Sequence, residues 1–117
     1  CKYNASKIVF KNTGYTDVQK NNPTQLKAAV QKQPIAVAVQ ASESAFQQYK
    51  SGIISSGCGT ELDHAIVLVG YGKDYWIVKN SWGTTWGEKG YAKIAIGTQN
   101  NGAGVCGINS YPSYPTL

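Results

Sequence analysis

The chain has no arginine and no methionine, a single histidine, three cysteines and only six acidic residues. Each scarcity narrows what the protein can be. All eleven basic residues are lysines, spaced singly from Lys2 to Lys93. A face that reads nucleic acid is clustered and uses arginine on base edges. Scattered lysines with a net charge of +5 read instead as a solvated surface, weakly attractive to acidic partners, so no nucleic-acid partner is expected. One histidine and no Cys-x-x-Cys spacing cannot build a usual zinc site, so neither a metal nor another cofactor is expected. No stretch approaches the ~18 to 20 apolar residues of a membrane span, and no membrane partner is expected. The start at Cys1-Lys2-Tyr3, in place of a basic then apolar leader, together with the lack of methionine, reads as a processed or excised piece.

What is present is a globular composition. The 117 residues are 42% apolar and 15% charged, with thirteen glycines and eight tyrosines, enough for one domain and no more. No repeat or linker interrupts them. Asn22-Pro23-Thr24-Gln25 opens a helix: Asn22 caps free N–H groups, and Pro23 lacks an N–H that would have no partner there anyway. Leu26, Ala29 and Val30 carry an apolar face through about Lys32, and Gln33-Pro34 ends it. Ile8-Val9-Phe10 reads as a short strand and Ile35 to Val39 as a buried one. Ser44 to Lys50 reads as short helix with Phe46 and Tyr49 on one side, and Gly52-Ile53-Ile54 as a short extended piece. Ala65 to Val69 is a continuous apolar run expected to be buried on both faces. Gly70 to Asp74 is a turn, Tyr75 to Lys79 a hairpin partner, and Gly90 to Ile96 a further strand. From Gln99 on, the tail reads as loop. The sum is an α+β domain with one main helix and an antiparallel, partly closed, β-barrel-like sheet.

Two of these strands carry the chemistry. His64 follows Leu62-Asp63 at the head of one run, and Asn80 stands at the end of the next, before Ser81-Trp82-Gly83-Thr84-Thr85-Trp86-Gly87. Singly, each residue has a bland reading: a lone histidine is usually structural, an asparagine at a strand end bonds a turn, and tryptophans pack. As neighbouring antiparallel strands, however, the two runs bring His64 and Asn80 to one sheet edge. An imidazole oriented by a neutral amide, with an indole beside it, is what a thiolate-based acyl-transfer site needs. The thiol itself is missing. Three cysteines suggest one internal bridge and one outgoing partner. Cys58 and Cys106 have glycine flanks that suit a loop-to-loop disulfide, which leaves Cys1 to pair outside the chain. Asn4-Ala5-Ser6 is a glycosylation sequon, consistent with a secretory route.

Asp63-His64-Ala65, Gly70-Tyr71-Gly72, Lys79-Asn80-Ser81-Trp82-Gly83 and Trp86-Gly87-Glu88-Lys89-Gly90-Tyr91 resemble the histidine and asparagine blocks of the papain family of cysteine proteases. The ending from Cys106-Gly107-Ile108 to Tyr114-Pro115 is similar to the cathepsin L-like members. The resemblance runs over almost the whole chain, with several blocks in the family's order. In that family the nucleophilic cysteine lies about 130–150 residues ahead of the histidine and asparagine. His64 is too close to Cys1 and Cys58 for either to be that nucleophile, and no Gly-Ser-Cys-Trp-like block is present. The resemblance therefore implies that residues 1–117 are a single C-terminal domain bearing the histidine and asparagine. The N-terminal half, with the thiol and the oxyanion-hole glutamine, would be a separate partner.

The resemblance further implies catalytic roles for His64 and Asn80, with Trp82 shielding their hydrogen bond. It implies a Cys58–Cys106 bridge and an interdomain bridge from Cys1. Asp63 would contact the substrate backbone or tune the pair. Ala38, Leu62 and Ala65 match the walls of the pocket for the residue second before the scissile bond, with Tyr111 near its floor. Tyr111 is larger than the small residue of cathepsin L-like members, which makes the pocket shallow unless the ring swings out; the plainer reading is that it packs in the proline-rich tail. A peptide substrate, a propeptide or protein inhibitor, and a lysosomal, vacuolar or extracellular setting are implied likewise. Two other classes compete: a non-catalytic protease-like binding domain, and a disulfide-stapled β-domain that binds glycans through Trp82 and Trp86. The glycan reading leaves the placement of His64 and Asn80 unexplained.

Overall fold

The computed structural model describes residues 1–117. Two helices and seven strands follow in the order β1 (Gly14–Asp17), α1 (Pro23–Val30), β2 (Ile35–Val39), α2 (Ser44–Gln47), β3 (Ile53–Ile54), β4 (His64–Tyr71), β5 (Tyr75–Lys79), β6 (Tyr91–Ala95) and β7 (Ser113–Thr116). Helix α1 starts as the sequence dictates: the Asn22 side-chain oxygen accepts from the Gln25 N–H at 3.0 Å, with Pro23 in the first turn. Leu26 and Val30, four residues apart, are its buried positions. The helix ends at Val30, short of Lys32, and α2 is a single turn that stops before Lys50.

The strands form one sheet in the order β1-β7-β2-β4-β5-β6-β3. It is open and not closed into a barrel, which corrects the barrel-like expectation: the edges β1 and β3 each have one neighbour. Every pairing is antiparallel except β3 with β6. Three further expectations change. Ile8-Val9-Phe10 is not a strand; it lies exposed with no neighbour to accept its ladder bonds. The run from Ala65 to Val69 is buried on one face only, with Ile66 and Leu68 inside and Ala65, Val67 and Val69 exposed. Strand β4 also continues to Tyr71, so the turn is confined to Gly72–Asp74. Its register shifts between Leu68 and Gly70, a bulge that bends it against β5.

One core results. Alternate residues of the central strands (Ile35, Val37 and Val39; Ile66 and Leu68; Trp76 and Val78; Ala92 and Ile94) meet Leu26 of α1 and Phe46 of α2. The tail is more ordered than its proline content suggests: β7 pairs with β1, and Ala103 to Ser110 is buried. Cys58 and Cys106 are disulfide-bonded, with Cα atoms 5.0 Å apart, and Cys1 is free and exposed.

Candidate active site

Strand alternation decides where His64 and Asn80 point. His64 is two residues before the buried Ile66, and Asn80 two residues after the buried Val78. Both side chains therefore leave the core-facing side of the sheet at the end where β4 begins and β5 finishes. Their backbones are pinned locally. Val39 pairs with His64 across the β2–β4 ladder, and the Asn80 N–H donates to the Gly90 carbonyl at 3.0 Å. Gly90 holds a positive φ of 92° and passes so close to Gly83 that an added Cβ would lie 3.2 Å from its carbonyl oxygen, so only glycine suits that turn.

The two side chains meet. His64 Nε2 is 2.8 Å from Asn80 Oδ1, and the Ser81 backbone N–H donates to the same oxygen at 2.8 Å. The second contact fixes the first. A backbone N–H can only donate, so the atom it faces is the amide oxygen. The ring nitrogen facing that oxygen must then carry the proton. Nε2 is the donor, and Nδ1 keeps a lone pair in the neutral ring, with no hydrogen bond inside the chain. Asn80 itself is buried, and its Nδ2 has no acceptor within the chain.

Trp82 stacks on the imidazole, with ring centroids 4.9 Å apart and planes 25° from parallel. It is held from behind, since Phe46 and Trp86 each meet it edge-on at 5.6 Å. The Trp86 indole N–H donates to the Phe46 carbonyl at 3.1 Å, which ties α2 to the loop after β5. The indole thus lies flat against one side of the imidazole. Phe46 and Trp86 as supports were not apparent from the sequence; the aromatic spacing at 82 and 86 was the available signal.

Asp63 has a definite job at the backbone. Its carboxylate accepts from the Ala41 N–H at 2.8 Å, and its own N–H donates to the Val39 carbonyl at 3.1 Å. It therefore ties the end of β2 to the head of β4, one residue before His64. The Ala41 N–H holds its carboxyl below the usual range against some desolvation, helped by hydrogen bonds from Ser42 and by the neighbouring His64. Ala38 and Ala65 are cross-strand partners, on the opposite face of the sheet from His64. Leu62 packs on Gly107, whose φ is 74° and where a Cβ would come within 2.7 Å of the Leu62 side chain. Tyr111 lies beyond that turn, 62% exposed, with the Lys20 ammonium 4.6 Å from its ring centre and 3.4 Å from its hydroxyl. The structure thus gathers His64, Asn80, Trp82 and Asp63 at one end of the sheet. No group of three or more His, Cys, Asp or Glu side chains is placed to hold a metal ion.

An imidazole with one ring nitrogen held and the other unpartnered is chemically able to exchange a proton with a neighbouring group. The sequence profile of the papain family cysteine proteases matches residues 1–116, and the chain belongs to that family. It is 49% identical over 110 residues to fruit bromelain from Ananas comosus, covering 90% of this chain and 31% of that protein. Over 106 residues it is 49% identical to macrodontain-1 from Ananas macrodontes, covering 90% and 49%. A probable cysteine protease from Arabidopsis thaliana is 50% identical over 107 residues, covering 88% and 29%. The chain thus spans less than half the length of these relatives. Among solved structures, a Carica candamarcensis cysteine protease in complex with E-64 superposes with a TM-score of 0.87 at 45% identity, covering 91% of this chain and 49% of that one. The ragweed pollen allergen Amb a 11, in its proform, gives 0.86 at 37% identity, covering 95% and 31%.

Proposed function

We propose that this chain supplies the histidine and asparagine of a cysteine endopeptidase whose nucleophilic thiol resides on a preceding N-terminal half. The observation that carries the reading is the His64–Asn80 contact of 2.8 Å, with the amide orientation set by the Ser81 N–H.

In this reading a thiol gives its proton to His64 Nδ1. The resulting imidazolium stabilises the thiolate and lowers its pKa by several units. The thiolate attacks the peptide carbonyl carbon, forming a C–S bond. His64 then protonates the leaving amine as the C–N bond breaks. Water hydrolyses the thioester, His64 taking its proton, and the thiolate is released. Asn80 keeps Nε2 protonated throughout; a neutral amide is enough, since the thiolate already balances the cation. Trp82 excludes water from that bond. By the family resemblance, Ala38, Leu62 and Ala65 supply the walls of the apolar subsite for the residue second before the cleavage point, with Tyr111 near its floor. The E-64 complex and the proform among the relatives support an inhibitor and a propeptide as partners of this fold. The Cys58–Cys106 bridge supports an oxidising setting such as the vacuole or the extracellular space.

Intact mass of native material, without and then with reductant, tests the proposal together with peptide hydrolysis. The expected result is a larger species that splits into this chain and a thiol-bearing partner joined through Cys1, with hydrolysis lost in His64→Ala. This chain alone, with Cys1 free and no hydrolysis, overturns the proposal and leaves the non-catalytic binding domain.

A further inference from the structure

We infer that Asn4 is an N-glycosylation site, modified by an oligosaccharide carried on a polyisoprenyl pyrophosphate. Asn4-Ala5-Ser6 is the only Asn-x-Ser/Thr triplet in the chain without proline in the middle. A second triplet, Asn22-Pro23-Thr24, is blocked twice over, by Pro23 and by the use of the Asn22 side chain as the cap of α1.

The local geometry suits the chemistry. Ser6 donates twice to the Asn4 side-chain oxygen, from its backbone N–H at 3.0 Å and from its hydroxyl at 2.8 Å. Both bonds land on Oδ1, and Nδ2, the atom that must react, has no partner in the chain. Two donors on the carbonyl oxygen polarise the amide and favour loss of a proton from nitrogen. In the transfer, Nδ2 forms a bond to the sugar anomeric carbon as the bond from that carbon to phosphate oxygen breaks. The pyrophosphate leaves on its lipid, and the amide gives up one proton.

Timing and tolerance also favour the site. Every contact around it is local: Lys7 N–H to Asn4 O at 3.1 Å and Ile8 N–H to Ala5 O at 3.3 Å complete a short 3-10 turn over Ala5–Lys7. No distant strand is needed, so the turn can form on a nascent chain. Within this chain residues 1 to 12 are all exposed, so the domain itself leaves room for a glycan. Tyr3, Val9 and Phe10 in that segment are 76%, 99% and 64% exposed, and a hydrated glycan beside them would screen an apolar stretch from non-specific contacts.

The test is secretion of the whole protease from a plant cell, followed by intact mass before and after a peptide-N-glycosidase that tolerates core fucose. The expected result is a ladder of hexose-sized additions that collapses on digestion. Asn4→Gln and Ser6→Ala should both abolish it, and Ser6→Thr should retain it. Peptide mapping should place the digested site at position 4 and leave Asn22 unmodified. Secretion of the wild-type chain at its unmodified mass overturns the inference, as does a glycan that survives Asn4→Gln. Peptide hydrolysis by the same samples, measured separately, reports on the protease reading without deciding this one.

Discussion

At the scale of single residues, the centre of the molecule is one amide. Asn80 Oδ1 accepts from both His64 and Ser81, so removing it frees the imidazole and leaves two donors unpaired. A hydrogen bond to a charged partner contributes about 1.5–3 kcal/mol. In the whole protease, Asn80→Ala should lower kcat/KM by about 10- to 100-fold, read from initial rates on a peptide substrate; an unchanged value would mean the amide does not orient the ring during turnover. In the proposed mechanism His64→Ala removes the proton carrier itself, and the loss in kcat/KM should reach about 100- to 10,000-fold. Asp63 acts differently. Its folded pKa is depressed, chiefly by the Ala41 N–H, so its contribution to stability is present above the unfolded value and fades as pH falls through the folded one. The urea midpoint of Asp63→Asn should lie below that of the native chain near neutrality, and the two should converge in acid. A constant gap across that range would point to lost backbone hydrogen bonding alone. Sequence spacing sufficed to nominate His64, Asn80 and Trp82. It left Asp63 between contacting the substrate backbone and tuning the pair, and missed its bond to the Ala41 N–H, which depends on where β2 ends.

At the scale of elements, local signals and long-range pairings part company. Helix α1 was legible because its cap, its proline and its Leu26–Val30 face lie within nine residues. The β4–β5 hairpin was legible because its strands adjoin and the turn is short. Strands β1 and β7 were not, since Gly14 and Pro115 weaken any local strand signal and the partners lie at opposite ends of the chain. Both β3 and β6 were legible as extended pieces, but their parallel pairing was not, because about forty residues separate them and no local signal sets their register. Ile8 to Phe10 shows the converse: strand-like side chains form no strand when no edge accepts them. The Cys58–Cys106 bridge closes a separation of 48 residues and fastens the β3–β4 connection to the buried tail. Replacing both cysteines by alanine should cost about 2–4 kcal/mol, measured as the shift in denaturant midpoint at constant slope. No shift would mean that the buried segment from Ala103 to Ser110 already holds the loop.

At the scale of the whole molecule, the sheet has one finished face and one unfinished one. Ile66 and Leu68 belong to the core, while Ala36, Ala65, Val67 and Val69 face outward and stay exposed. Contiguous apolar surface of that kind drives association. The isolated chain should self-associate with rising concentration in sedimentation velocity, and a thiol-bearing half should suppress this by covering the face. A chain that stays monomeric at high concentration would show that the face needs no partner. The sequence by itself determined the family and the α+β class, through blocks that follow one another along the chain, and the helix cap and the histidine–asparagine spacing, each written within one element or one hairpin. The tertiary structure alone decided that the sheet stays open, that β4 is buried on one side, that Phe46 and Trp86 brace Trp82, and that Asp63 serves the backbone. Those outcomes depend on which distant segments come to lie against one another, and no local period in the chain encodes them.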